Sequence, residues 1–330
     1  MRAGASALGL LAAPLNVHLL ASLHEDERSL TELSQAAGLP PASTLRAYLR
    51  TLTDWGVVER KQEPGFPGTV SYELTTSGQD LVRTADVLQR WLKANPNGVV
   101  TVGTPAAKSA VKALIDGWDS AIVRALSARP CTLTELARAI PQVTYPTLER
   151  RLTAMRRVGL AAARQNGDGR GNPYGATSWL DEAAAPLIAA AAWERCHAPS
   201  QTTPIGRLDV EAVLLLALPL LQLPDELSGT CRLAVQLRSR SQERFVGATV
   251  VVAGGRITST AARLATETDA SITGTARGWY RWVGRRDEEE VEVGGDSSLA
   301  FAVAEGLREA LVPEEALRYP LVAPPSTAPS

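Results

Sequence analysis

The sequence predicts an α+β chain: two copies of one helix-rich domain, then a separate unit of mixed strands and helices. Three observations predict it. The tetrapeptide Leu30-Thr31-Glu32-Leu33 recurs 103 positions downstream as Leu133-Thr134-Glu135-Leu136. The register then holds in both directions. Onward, Leu45, Leu49, Leu52 and Gly56 fall on Leu148, Leu152, Met155 and Gly159; backward, Leu15, Leu19 and Leu23 fall on Trp118, Ile122 and Leu126. With a one-residue adjustment, Tyr72, Thr75 and Trp91 fall on Tyr174, Thr177 and Trp193. Beyond residue 208, helical spacing gives way to short strand-like runs. Agreement over whole domains marks an internal repeat. The expected divisions are copies at 1–95 and 108–197, linkers at 96–107 and 198–207, a third domain at 208–320, and a disordered Pro/Ser-rich tail at 321–330.

Each copy reads in one order. A first helix ends near Leu23 or Leu126. A capping box follows, Ser29-x-x-Glu32 or Thr132-x-x-Glu135, whose side chains satisfy the free amides that open a helix. That helix is short, because Gly38-Leu39-Pro40-Pro41 or Ile140-Pro141 breaks it. A long amphipathic helix comes next, with its apolar stripe at 45, 49, 52 or 148, 152, 155. Gly56 and Gly159 stop it. Hairpins are expected over Val57 to Arg60 with Val70 to Thr75, and over Leu160 to Arg164 with Tyr174 to Trp179. Their tips are Pro64 to Gly68 and Asn166 to Asn172, and a closing helix ends at Trp91 or Trp193.

Composition bounds the classes open to the chain. Of 330 residues, 45% are hydrophobic and 21% charged, which excludes wholesale disorder. Cys131, Cys196 and Cys231 stand apart without CxxC or histidine spacing, so neither zinc nor a disulfide framework is expected. Met1 to Leu23 continues with helical spacing, unlike a signal peptide, and Val210 to Leu223 is too short and interrupted to span a bilayer. A soluble, cytoplasmic protein without a membrane partner is expected. Gly167-x-Gly169-x-Gly171 sits at a hairpin tip, not between strand and helix, so it is no phosphate loop. Gly295-Asp296-Ser297-Ser298 lacks a nucleophile elbow, and His18, His24 and His197 lie far from it in sequence. No enzyme, cofactor or metal is expected.

Helix, helix, tight turn, helix and hairpin make a winged helix-turn-helix, whose third helix enters the DNA major groove. The run Leu133-Thr134-Glu135-Leu136…Ile140-Pro141…Leu148…Arg151-Leu152…Gly159-Leu160, then Asn172-Pro173-Tyr174…Thr177, resembles the HxlR-type regulators of bacteria. The first copy resembles a more diverged member, keeping Val70-Ser71-Tyr72-Glu73-Leu74-Thr75-Thr76-Ser77-Gly78. The resemblance implies double-stranded DNA as partner and action as a dimer, so a homodimer is one expectation; the tandem departs from the usual single domain per chain.

The net charge of −1 divides unevenly: −1 over 1–95, +4 over 108–197 and −4 over 198–330. In the second copy Thr147, Arg150 and Arg151 are expected on the outward face, with Thr144 and Tyr145 at the helix start and Arg157 near its end. Arginine there can reach guanine or neutralise phosphate. Arg164 and Arg170 on the hairpin add backbone contacts. The first copy offers Ser43, Thr44, Arg46 and Arg50 on the helix, with Arg60 and Lys61 at the wing.

In the last third an apolar helix at 210–223 precedes strands at Cys231 to Leu237, Phe245 to Val252, Arg256 to Thr260, Ala270 to Thr273 and Glu290 to Val293. Gly254-Gly255 makes a tight turn, and helices are expected at Ala276 to Val283 and Ser298 to Leu311. Asp269 to Thr275, Gly284-Arg285-Arg286, Val291 to Asp296 and Leu299-Ala300 resemble the sterol-carrier-protein-type domain. That implies a pocket for a hydrophobic small-molecule effector, with Trp279, Tyr280 and Trp282 as candidate lining. Two functions follow: a ligand-responsive transcription regulator, or a hydrophobic-ligand carrier whose winged helices serve protein interaction.

Overall fold

The structure, a computed structural model, describes residues 4–62, 70–117, 120–164, 172–198, 205–239, 242–285 and 290–311. The hairpin tip Pro64 to Gly68, residues 166–171 of the other tip (Arg170 among them), Trp118 and the tail at 321–330 lie outside the described residues. The chain divides into two compact units: 1–115 with 186–203, and 116–185 with 204–330.

Unit one begins with α1 (Ala5–Leu11) and α2 (Pro14–Glu25), then a short strand β1 (Arg28–Ser29). α3 (Leu30–Ala36) opens with the expected box: Glu32 N–H donates to Ser29 Oγ at 3.3 Å and Ser29 N–H to Glu32 Oε2 at 2.7 Å. α4 (Ala42–Asp54) buries Leu45, Leu49 and Leu52. β2 (Val58–Gln62) pairs antiparallel with β3 (Val70–Leu74), which also pairs with β1. α5 (Thr76–Lys93) and α6 (Pro105–Gly117) follow. The stretch read as a linker is held: Gln89 on α5 donates to Val100 O at 3.1 Å and accepts from Val102 N–H at 2.7 Å.

The same order recurs as α7 (Ser120–Ala128), α8 (Leu133–Ala139), α9 (Tyr145–Val158), β4 (Ala161–Ala163), β5 (Tyr174–Ala176), α10 (Ser178–Glu182) and α11 (Ala184–His197). Thr132 and Glu135 repeat the capping box on α8. The long helices stop alike. Gly56 and Gly159 take φ of 65° and 95°, the left-handed conformation glycine adopts without strain. Val57 N–H then reaches Leu52 O, and Leu160 N–H reaches Met155 O, each at 2.9 Å. Thr75 Oγ1 donates to Gly56 O at 2.6 Å, and Thr177 Oγ1 to Gly159 O at 2.8 Å, fastening each hairpin to the end of its long helix. The division into units does not follow the copies: most of α11 belongs to unit one, α7 to α10 to unit two.

The last third supplies α12 (Arg207–Ala217), a 3-10 turn at Leu218–Leu220, β6 (Gly229–Ser239), β7 (Gln242–Ala253), β8 (Arg256–Ala261), β9 (Ala270–Thr275), α13 (Ala276–Arg285), β10 (Val291–Gly295) and α14 (Ser297–Leu311). Among the described residues these strands form a five-stranded sheet ordered β10-β9-β6-β7-β8, with β6 and β9 parallel and the other pairs antiparallel. α12 packs on α7, α10 and β7 within unit two, which is why it is apolar on most of its circumference. Its one buried charge, Glu211 at 2% exposure, pairs with Arg124 Nε at 2.7 Å and Arg207 Nε at 2.5 Å. Among the described residues no single helix is long and apolar enough to cross a membrane.

Candidate nucleic-acid interface

The two long helices carry the expected site. On α4, Ser43, Thr44, Arg46, Ala47 and Arg50 are all exposed, and the i, i+3/i+4 spacing of Ser43, Arg46, Ala47 and Arg50 puts them on one face. Arg50 is open to solvent and 4.0 Å from Asp54, a weak i, i+4 pair that leaves the guanidinium available. The turn before α4 is strained. Gly38 and then Leu39 take φ of 78° and 57°, a conformation leucine adopts only at a cost, and the Leu39 side chain stands in solvent. Lys61 on β2 is half-exposed and paired with Glu73 at 2.5 Å and Glu27 at 3.8 Å; the bond to Glu73 raises its pKa above the ordinary lysine value.

On α9 the structure corrects the expected outward face. Arg150 and Arg157 are exposed, but Arg151 is half-buried and engaged, because it stands three residues from Leu148 and four from Met155, both in the core. Thr147 is half-buried as well, its hydroxyl 2.9 Å from that of Thr144. Thr144 and Tyr145 at the helix start are exposed. The solvent face is instead Pro146, Glu149, Arg150, Thr153 and Arg157, which with Ala154 line a shallow groove of about 380 Å³. Sequence reading missed Glu149 and Thr153; stepping by three and four from Arg150 to Arg157 passes through Thr153. Arg156 lies over the Tyr174 ring, 5.3 Å from its centroid, a cation–π contact joining α9 to the hairpin. Arg164 is exposed beside β5.

The expected ligand residues have a different setting. Trp279 and Trp282 are 7% and 5% exposed, with centroids 5.8 Å apart, and Trp282 stacks edge-on to Phe301 of α14. The Trp279 indole donates to Ala234 O at 2.8 Å. Core packing accounts for both rings; the Tyr280 side chain lies outside the described residues. The Cys131 and Cys231 thiols are buried, and burial pushes Cys231 up to about 12. Among the described residues no His, Cys, Asp and Glu cluster is placed to hold a metal.

Residues 12–98 match the family profile described as HxlR-like helix-turn-helix. That span runs from α2 to the end of α5, so these residues form an HxlR-type helix-turn-helix domain; the match falls on the copy read as the more diverged. Three solved structures are similar to part of the chain. Diamide-treated YodB from B. subtilis is 26% identical over 27% of this chain and 87% of its own, with TM-score 0.26. The reduced form of the transcriptional regulator YodB is 26% identical over 28% and 92%, with TM-score 0.27. A protein described as a transcriptional regulator of the MarR family from Enterococcus faecalis V583 is 26% identical over 26% and 77%, with TM-score 0.25. No curated protein matches the chain.

Proposed function

We propose that this chain, which carries an HxlR-type helix-turn-helix domain at residues 12–98, is a sequence-specific DNA-binding transcription regulator with two reading helices. The family match carries the reading. It is supported by the exposure of Ser43, Thr44, Arg46 and Arg50 on α4, residue types that contact base edges and phosphates. The repeated capping box, glycine stop and threonine fastening support reading 120–197 as a second winged helix. There Thr144, Tyr145, Arg150, Thr153 and Arg157 face DNA, with Arg164 at the flanking backbone. The test is selection of duplexes from a random-sequence pool by the full chain, followed by gel-shift titration at several salt concentrations. A defined sequence bound at physiological salt, with affinity falling as salt rises, is expected. Equal, weak binding to every duplex overturns the reading.

The sheet of the last third is the proposed sensor of an apolar effector, supported by its sequence resemblance; the Trp279–Trp282–Phe301 cluster packs beside that sheet. Because the Trp279 and Trp282 rings are buried, a ligand must part them, and it shifts DNA binding only by binding the competent and incompetent states unequally. Titration with a long-chain fatty acid should change tryptophan fluorescence and DNA affinity over one concentration range. Changed fluorescence with unchanged DNA affinity favours the carrier reading.

A further inference from the structure

α11 ends the second sequence copy, yet from Pro186 onward it belongs to unit one. Its contacts there are specific. Glu194, buried, accepts hydrogen bonds from the backbone N–H groups of Gly4 at 2.7 Å, Ser6 at 2.7 Å and Ala7 at 3.0 Å, so it closes the start of α1. The Trp193 indole donates to Ser77 O at 2.8 Å, and its ring lies 6.3 Å from that of Trp55 at the end of α4. His197 Nε2 stands 2.9 Å from Asp80 Oδ2 on α5. Gly4 approaches α11 so closely that a Cβ would meet Leu187 O at 3.0 Å and Ala191 N at 3.1 Å. Without α11 the first copy would turn apolar surface around Trp55 to water and lose the hydrogen bonds that Glu194 and Trp193 make to the α1 amides and the Ser77 carbonyl.

We infer that α11, by filling this face of the first copy from within the chain, closes it to a second molecule, so that the DNA-binding species is one chain with two unlike reading helices. This rests on the proposed function only for its DNA arm. A closed homodimer needs one self-complementary patch on both subunits; the face that α11 fills is not open to serve as one.

The test has two arms. Light scattering on the full chain should give the single-chain mass, 35.1 kDa, across micromolar concentrations; twice that mass overturns the inference. In the second arm, the chain and a version carrying a bulky fusion are mixed and shifted with a selected duplex. Two bands mean one chain per duplex, and a band of intermediate mobility, which needs two chains, overturns the inference. Should no duplex be selected, the proposed function fails while the light-scattering arm still decides. Trp193→Ala with Glu194→Ala should lower the melting temperature and induce concentration-dependent association. A double variant that melts like the parent and keeps its mass overturns the role of α11. Should the variant precipitate, Glu194→Gln alone should lower melting without changing the mass, and no change in melting overturns the role of α11.

Discussion

Arg150 and Arg151 adjoin in sequence, but 100° of helix rotation separates their environments. Replacing Arg150 and Arg157 with alanine should leave folding intact and reduce the slope of log affinity against log salt by about 0.9 for each phosphate no longer neutralised. Arg151→Ala, at a half-buried and engaged position, should instead lower the denaturant midpoint and leave the slope near the parent's. Glu149 on the same groove repels phosphate and can accept a hydrogen bond from the cytosine amino group. Glu149→Gln should therefore bind random duplex more tightly and lose about 1–3 kcal/mol of discrimination at one selected position. Asp181 offers a residue-level test of electrostatics. Burial, then the neighbouring Glu182 charge, pushes its carboxyl up to about 7 from the ordinary 3.8. The folded state thus keeps a proton the unfolded chain has released, and stability present below the ordinary value is lost as pH rises through about 7. Asp181→Asn should raise the unfolding free energy in urea at pH 8 by about 1–2 kcal/mol, because the carboxyl is partly solvated, and have little effect near pH 4.

Among elements, α12 depends most on its neighbours. Glu211→Ala leaves Arg124 and Arg207 without their shared carboxylate. Since both arginines reach solvent, about 1–3 kcal/mol of destabilisation by urea unfolding is expected, below the full cost of breaking a wholly buried pair. The two threonine fastenings should behave alike: Thr75→Ala and Thr177→Ala each remove a helix cap and a hairpin bond, costing about 1–2 kcal/mol. Elements set by local chemistry are legible in the sequence. Ser29 with Glu32, Thr132 with Glu135, and the glycines at 56 and 159 act within one helical turn, so their residue types suffice. The two residues of β1 are not legible, because their pairing partner Tyr72-Ser71 lies more than forty positions away. Arg151 reads as outward when Leu148, Leu152 and Met155 are turned inward, but at three residues from Leu148 and four from Met155 it lies at the margin of that stripe and is half-buried.

At the scale of the molecule, the repeat read from the sequence predicts the order of elements but not their grouping. Register matching compares a segment with its counterpart and is blind to which core that segment enters. Hence α11 reads as the end of the second copy while its Glu194 closes α1. The same limit applies at 198–207, read as a boundary between domains although α12 just beyond it covers α7 and α10. Deleting residues 205–330 should therefore strip apolar surface from the second copy rather than release an independent sensor. Limited proteolysis of the truncated chain is expected to cleave within α7 to α10, where the full chain resists.

The membership of α11 in unit one also constrains synthesis. A ribosome delivers residue 115 long before residue 197, and at elongation speeds of roughly 5–20 residues per second the gap lasts several seconds. During that interval the amino-terminal region, although its own helices have emerged, waits for its final helix while the α7–α10 segment is made. Nascent chains stalled at successive lengths should stay protease-sensitive around Trp55 and Ser77 until α11 clears the exit tunnel, then become protected together.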